Sequence, residues 1–242
     1  MKQKNILDIL LEEKKMNLRG RLYHYTQVHF TYNSNHIEGS RLTEEQTRHI
    51  FETNTFLADG SNFISVDDIT ETINHFRCFD YILLHAKEPL SEDLIKKIHK
   101  ILKTNTSDSQ KEWFQVGEYK TLPNMVGDTA TSLPEQVSSD IQFLLQEYQK
   151  KQNITLEDII DFHARFEMIH PFQDGNGRVG RLLMFKECLA HNMIPFILDE
   201  EHKLFYYRGL REYKKEKGWL RDTCLSAQDK YKLILDQLKI IY

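Results

Sequence analysis

Apolar residues recur along most of this chain at helical rather than strand spacing. From about Leu18 to Glu38 the pattern predicts a helix closed by Gly39, a residue suited to the left-handed position after a helix end. Thr43-Glu44-Glu45-Gln46 reads as a capping box opening a short helix, Ser65 and Asp68 open a run to about Ala86, and Ser91-Glu92-Asp93 opens one to about Lys103. Helices are expected again from about Pro134 to Gln152 and from Thr155, where Ile159, Phe162, Phe166 and Ile169 form one apolar face that stops at His170-Pro171. From Gly177 a helix through Val179, Leu182, Leu183, Met184, Phe185, Cys188 and Leu189 is apolar around most of its circumference, which predicts a central, buried position. Two stretches, about Glu201–Glu216 and Thr223–Ile241, complete the helical pattern. The texture changes only between Gly117 and Gly127, where Glu118 to Val126 mixes β-formers around a Pro-Asn turn and predicts a hairpin.

Composition sharpens this picture. Ten glycines and 5 prolines among 242 residues are few, which disfavours architectures of many short strands. The expected fold class is all-α (mainly α), a helical bundle with one short β-hairpin. Residues 1–60 are expected to form an N-terminal helical segment, packed onto residues 61–242 as one compact unit. A hydrophobic share of 40% and a charged share of 28% suit a soluble globular chain, and a formal charge of −4 gives no basic footprint for nucleic acid. No apolar run reaches the ~18 residues a membrane span needs, and the N-terminus lacks a cleavable leader pattern, so a cytoplasmic protein with no membrane partner is expected. Cys78, Cys188 and Cys224 lack metal or disulfide spacing and read as free, mostly buried thiols.

The chemistry concentrates in His170-Pro171-Phe172-Gln173-Asp174-Gly175-Asn176-Gly177-Arg178-Val179-Gly180-Arg181. Gly175, Asn176 and Gly177 can turn successive backbone N–H groups inward as an anion nest, and the following helix adds its own unpaired N–H groups and positive dipole end. Arg178 and Arg181 are three apart and project toward one anion. Asp174 suits a hard cation such as Mg²⁺, which favours a few carboxylates with phosphate oxygens. His170 is mostly neutral at cytosolic pH and can accept a proton from a nucleophile. Together these parts describe phosphoryl or nucleotidyl chemistry. The glycines also spell G-x-G-x-x-G, but a helical pattern rather than a strand precedes them, against a dinucleotide fold. A zinc hydrolase lacks its ligand spacing here.

The twelve residues resemble the Fic-domain signature H-P-F-x-[D/E]-G-N-G-R-x-x-R at every specified position from His170 to Arg181. The resemblance implies a Fic-type bundle that transfers AMP from ATP, the co-substrate, with Mg²⁺, to a Ser, Thr or Tyr hydroxyl of a protein target or of the chain itself. It implies that His170 is the catalytic base, that Phe172 anchors the loop, and that Asp174 is the metal residue. Gly175, Asn176 and Gly177 become the anion hole, Arg178 meets the β-phosphate, and Arg181 meets the γ-phosphate. Tyr206 and Tyr207 stand where the family has an adenosine-contacting tyrosine, and Leu122, Pro123, Asn124, Met125 and Val126 form its target-docking flap. Ser34-Asn35-His36-Ile37-Glu38-Gly39 resembles the family's inhibitory motif, which implies that Ser34 and Glu38 belong to an N-terminal inhibitory helix and that Glu38 pairs with Arg181. Two other readings stay open: an enzyme that also removes AMP, with Glu38 positioning a water, and a catalytically silent interaction module. The C-terminal helices are candidates for homo-oligomerisation.

Overall fold

The structure, a computed structural model, describes residues 5–56, 63–127 and 129–242. Residues 1–4 and 57–60 of the expected N-terminal segment lie outside the described residues. The helices run α1 Ile6–Lys15, α2 Leu22–Ile37, α3 Glu44–Thr53, α4 Val66–Leu84, α5 Glu92–Lys103, α6 Pro134–Gln149, α7 Leu156–Ile169, α8 Asn176–Ala190, α9 Glu200–Arg211 and α10 Gly218–Gln237. A two-stranded antiparallel sheet, β1 Met125–Val126 and β2 Thr129–Ala130, pairs Met125 with Ala130 and Val126 with Thr129. Among the described residues the chain is therefore mainly α with one small hairpin, the fold class the sequence pattern predicts.

Local chemistry explains most boundaries. Ser65 and Ser91 cap α4 and α5, accepting from the backbone N–H groups of Asp67 and Leu94. The expected capping box of Thr43 with Gln46 forms, and Thr155 with Asp158 makes a second one. Helix α2 starts at Leu22 rather than Leu18, because Asn17 and Gly20 take positive φ and Arg21 is extended at the N-cap. Gly39 follows α2 with φ +100°, the left-handed end expected of it. At the C-terminus α9 stops at Arg211 and α10 begins at Gly218, five residues before Thr223, with a turn between them. Helix α1 and a 3₁₀ turn over Ser107–Gln110 have no predicted boundaries in the sequence reading.

The hairpin requires a correction. Its turn lies at Gly127, which takes φ +56°, and not at Pro123-Asn124. Leu122 and Pro123 precede the strands as an exposed loop, while Met125 and Val126 form the first strand with their side chains exposed.

Helix α8 occupies the centre, as its apolar circumference predicts. It contacts α2, α4, α5 and α7, and almost all of its residues are buried. One core joins Leu10 of α1, Leu22 and Phe30 of α2, and Phe79 of α4 to Leu182 and Phe185 of α8 and Tyr231 of α10. Phe30 stacks on Phe185 at 5.1 Å between ring centroids. Cys78, Cys188 and Cys224 are free and buried. Among the described residues, no helix is long and apolar enough to cross a membrane.

Candidate active site

The site is assembled where α7 gives way to α8. Helix α7 ends at Ile169, and His170 takes a left-handed conformation, φ 52° and ψ 62°, while its N–H still bonds the carbonyl of Phe166. Pro171 then prevents the helix from continuing. Phe172 is fully buried, its ring stacked on His99 of α5 at 3.9 Å with planes 3° apart. The Phe172 N–H donates to Asn176 Oδ1 at 2.8 Å, and Asn176 Nδ2 donates back to the Phe172 carbonyl at 2.8 Å. The Asn176 side chain therefore closes the loop, leaving its backbone N–H as the group available to an anion. Gly175 adopts φ +82° at the N-cap of α8, and a Cβ there would lie 3.3 Å from Leu102 Cδ2.

Helix α5 supports this loop from below. The Gly117 N–H donates to His99 Nδ1 at 3.0 Å, so His99 carries its proton on Nε2 and donates it to the Asp174 carbonyl at 3.1 Å. Burial pushes the His99 pKa down to about 3, which keeps the ring neutral in this role. Lys120 ties the flap to the same loop: its backbone N–H donates to the Pro171 carbonyl at 2.8 Å, and Nζ donates to Asn124 Oδ1 at 2.6 Å and Thr131 Oγ1 at 2.7 Å.

His170 faces Glu167, with 3.8 Å between Nδ1 and Oε2. Burial, aided by the Lys120 cation, lowers the His170 pKa to about 4, so the imidazole is neutral and able to accept a proton at cellular pH. The Glu167 side chain is mostly buried, and its pKa rises to about 8, through burial first and the neighbouring Glu38 charge second.

The two arginines project from buried positions on α8. Arg181 donates from Nε to Ser34 Oγ at 3.0 Å, and from Nη2 to the Ser34 carbonyl at 2.8 Å and Glu38 Oε1 at 2.7 Å. The pairing of Glu38 with Arg181 implied by the resemblance is present, with Ser34 as a further partner. A Cβ on Gly177 would collide with Glu38 Oε1 and lie 2.9 Å from Arg181 Nη1. The Glu38 carboxylate therefore rests against the first turn of α8, where the dipole and free N–H groups favour an anion. Burial opposes the charge on Arg181 most strongly, but the Glu38 carboxylate together with Tyr206 and Glu167 more than offsets it, and the pKa rises. Arg178 instead donates to Glu71 of α4 and, at 3.2 Å, to Asp174 Oδ2.

Asp174 keeps 49% of its side chain exposed. Burial alone would raise its pKa, yet Arg178 and Lys103 dominate and hold the carboxyl well below the usual range. Glu71, Asp108 and Asp174 each place a carboxylate oxygen within 4.8 Å of the others, an all-oxygen donor set of the kind Mg²⁺ prefers. Lys103, at the end of α5, touches all three acids. Tyr206 is buried, with its hydroxyl 2.8 Å from His163 Nε2, and Tyr207 donates to the Ile37 carbonyl at 3.1 Å. The Tyr206 ring also lies 5.9 Å from the Arg181 guanidinium at the end of the signature, while Tyr207 secures the end of α2. Glu71, His99, Lys103, Asp108 and Lys120 escaped the sequence reading because they reach the site from separate segments with no spacing rule to link them.

Residues 89–188 match the Fic/DOC family. The chain is 25% identical over 185 residues to the protein adenylyltransferase Fic of Nematostella vectensis, covering 75% of this chain and 42% of that protein. It is 25% identical over 194 residues to the protein adenylyltransferase fic-1 of Caenorhabditis elegans, covering 78% of this chain and 37% of the relative. The chain thus spans about two fifths of the length of these relatives. Its fold resembles that of a Fic-domain-containing signaling protein from Bacteroides thetaiotaomicron, with a TM-score of 0.76, 24% identity and 96% of both chains covered. A Fic family protein from Desulfovibrio desulfuricans gives a TM-score of 0.73 at 20% identity, covering 98% of this chain and 74% of the other. Residues 89–188, with the signature loop among them, are thus similar to the Fic/DOC family, and the fold around them is like that of Fic-domain structures.

Proposed function

We propose that this chain is a protein adenylyltransferase, which transfers AMP from ATP to a Ser, Thr or Tyr hydroxyl and is held back by Glu38. The observation that carries the reading is the loop from His170 to Arg181: a neutral imidazole, a glycine nest at a buried helix N-terminus and two arginines within a single turn of chain. His170 takes the proton of the target hydroxyl as that oxygen attacks the α-phosphorus. A new O–P bond forms, the bond from the α-phosphorus to the bridging oxygen breaks, and pyrophosphate leaves. The N–H groups of Gly175, Asn176 and Gly177 receive the anionic oxygens, while Arg178 and Arg181 neutralise the departing phosphates. A Mg²⁺ ion, if bound, would be held by Asp174 and would supply charge stabilisation to those phosphates. The exposed flap residues Leu122, Met125 and Val126 offer the target a short strand edge beside the loop.

A hydroxyl is the acceptor this reading expects, with His170 taking its proton. Glu38 competes with the triphosphate for Arg181, so ATP that enters with Glu38 in place lacks one cationic contact. Mass spectrometry of a lysate treated with the Glu38→Gly variant and ATP tests the reading. A 5′-AMP adduct on Ser, Thr or Tyr is the expected product; its absence, with His170 and ATP both intact, contradicts it.

A further inference from the structure

Lys103 is buried at the C-terminal end of α5, with its ammonium 2.5 Å from Glu71 Oε1, 2.8 Å from Asp108 Oδ2 and 2.6 Å from Asp174 Oδ2. The three acids come from α4, the 3₁₀ turn and the signature loop, so only the fold brings them together. Two more cations complete the network: Lys111 lies 2.6 Å from Asp108 Oδ1, and Arg178 bonds both Glu71 and Asp174. Three carboxylates thus face Lys103, Lys111 and Arg178, and the group balances its charge without an added ion.

We propose that Lys103 is a resident cation that a divalent ion must displace from Asp174, so that Lys103 sets the divalent affinity of this site. The proposal rests on the nucleotidyl-transfer reading only in taking Asp174 as the metal carboxylate. An ammonium already occupies Asp174 Oδ2, and a divalent ion on the same carboxylate meets a like charge a few ångströms away. Adding such an ion alone leaves the network with two excess positive charges. The ion therefore enters productively together with an anion such as the phosphates of a nucleotide.

Removing the ammonium reverses this balance and leaves one net negative charge among the same acids. Lys103→Met keeps the length of the side chain and deletes its charge; Lys111→Met deletes a charge that touches Asp108 but not Asp174. Free Mn²⁺, titrated into each protein without nucleotide and followed by electron paramagnetic resonance, gives the affinity directly. Lys103→Met is expected to bind Mn²⁺ about tenfold or more tightly than wild type, as removal of one unit charge at this range implies, with Lys111→Met much closer to wild type. Equal affinity in Lys103→Met and wild type overturns the proposal.

Should Lys103→Met fail to fold by circular dichroism, the wild-type protein supplies the test. Lysine acetylation read by mass spectrometry is expected to rise severalfold at Lys103 when saturating Mn²⁺ is added, and unchanged protection overturns the proposal. Nucleotide binding, measured separately by calorimetry without metal, reports on the adenylyltransferase reading. Its loss would refute that reading and leave the Mn²⁺ result to decide the role of Lys103.

Discussion

Glu38 Oε1 lies 2.7 Å from Arg181 Nη2, across 143 residues of sequence and at the mouth of a helix N-terminus. Neither residue is well placed without the other. Glu38 stands at the C-cap of α2, where the helix dipole disfavours a carboxylate by about 0.3–1 kcal/mol, and the buried Arg181 guanidinium needs an anion. The pair therefore stabilises the two groups mutually and fills the anion position with a protein carboxylate.

His170 supplies a prediction about chemistry. Replacing it with Ala should lower transfer by about 10²–10⁴-fold or more while leaving ATP affinity within a few-fold of wild type. Its pKa is lowered to about 4, so the free base is present throughout the neutral range and is lost only as pH falls through about 4. The acid limb of the pH–rate profile that belongs to His170 should lie near pH 4 and vanish in the variant. A limb near pH 6.5 that vanished in the variant would contradict this environment.

Glu167 makes a prediction about stability. Its side chain is mostly buried, Oε1 is buried with no hydrogen-bond partner among the described residues, and its pKa is raised to about 8. The folded protein thus binds more protons than the unfolded chain between pH 4.5 and 8, and stability declines as pH rises through that window. Glu167→Gln removes the titration. Its melting temperature should exceed that of wild type above pH 8, by roughly 2–4 °C for each ~1 kcal/mol gained, and the two should converge near pH 4.5. Parallel curves in the two proteins would rule out a raised Glu167.

Much of this site is legible in the sequence because it is contiguous. His170 to Arg181 sit within a single loop and the first turns of α8, and each local rule is kept: proline stops a helix, glycine takes the left-handed N-cap, and asparagine closes the turn. The apolar circumference of that helix likewise marks it as central. The hairpin is misplaced because each strand is only two residues long, and Lys120 with its partners Asn124 and Thr131 fixes the segment more than strand propensity does. The platform under the loop is invisible for another reason. His99 and Lys103 lie on an ordinary amphipathic helix, and Glu71 is distant in sequence; only packing brings them to Phe172 and Asp174.

Phe172 tests that platform. Its ring is fully buried against His99, so Phe172→Ala should cost about 3–5 kcal/mol of stability, as deletion of a large core ring generally does. Urea unfolding with an unchanged m-value would measure it. A loss under ~1 kcal/mol would mean that the loop does not depend on the stack.

Ser34 separates the support of the clamp from the clamp itself. Ser34→Ala removes the acceptor for Arg181 Nε but keeps the Ser34 carbonyl and Glu38 in place. It should destabilise the protein by about 1.5–3 kcal/mol, the cost of losing a hydrogen bond to a buried charged group. Transfer should rise far less than in Glu38→Gly. Equal activation by the two substitutions, assayed side by side, would show that the hydroxyl rather than the carboxylate restrains Arg181.

The central claim is that the Glu38 carboxylate holds Arg181 away from the triphosphate. Its most direct test is the initial rate of AMP incorporation into the protein itself, from labelled ATP and Mg²⁺, in wild type and Glu38→Gly at equal concentration. Glu38→Gly should label at least about tenfold faster, the factor that 1.4 kcal/mol of lost competition would give. A rate equal to or below wild type, in a variant that still folds and binds ATP, would contradict the claim.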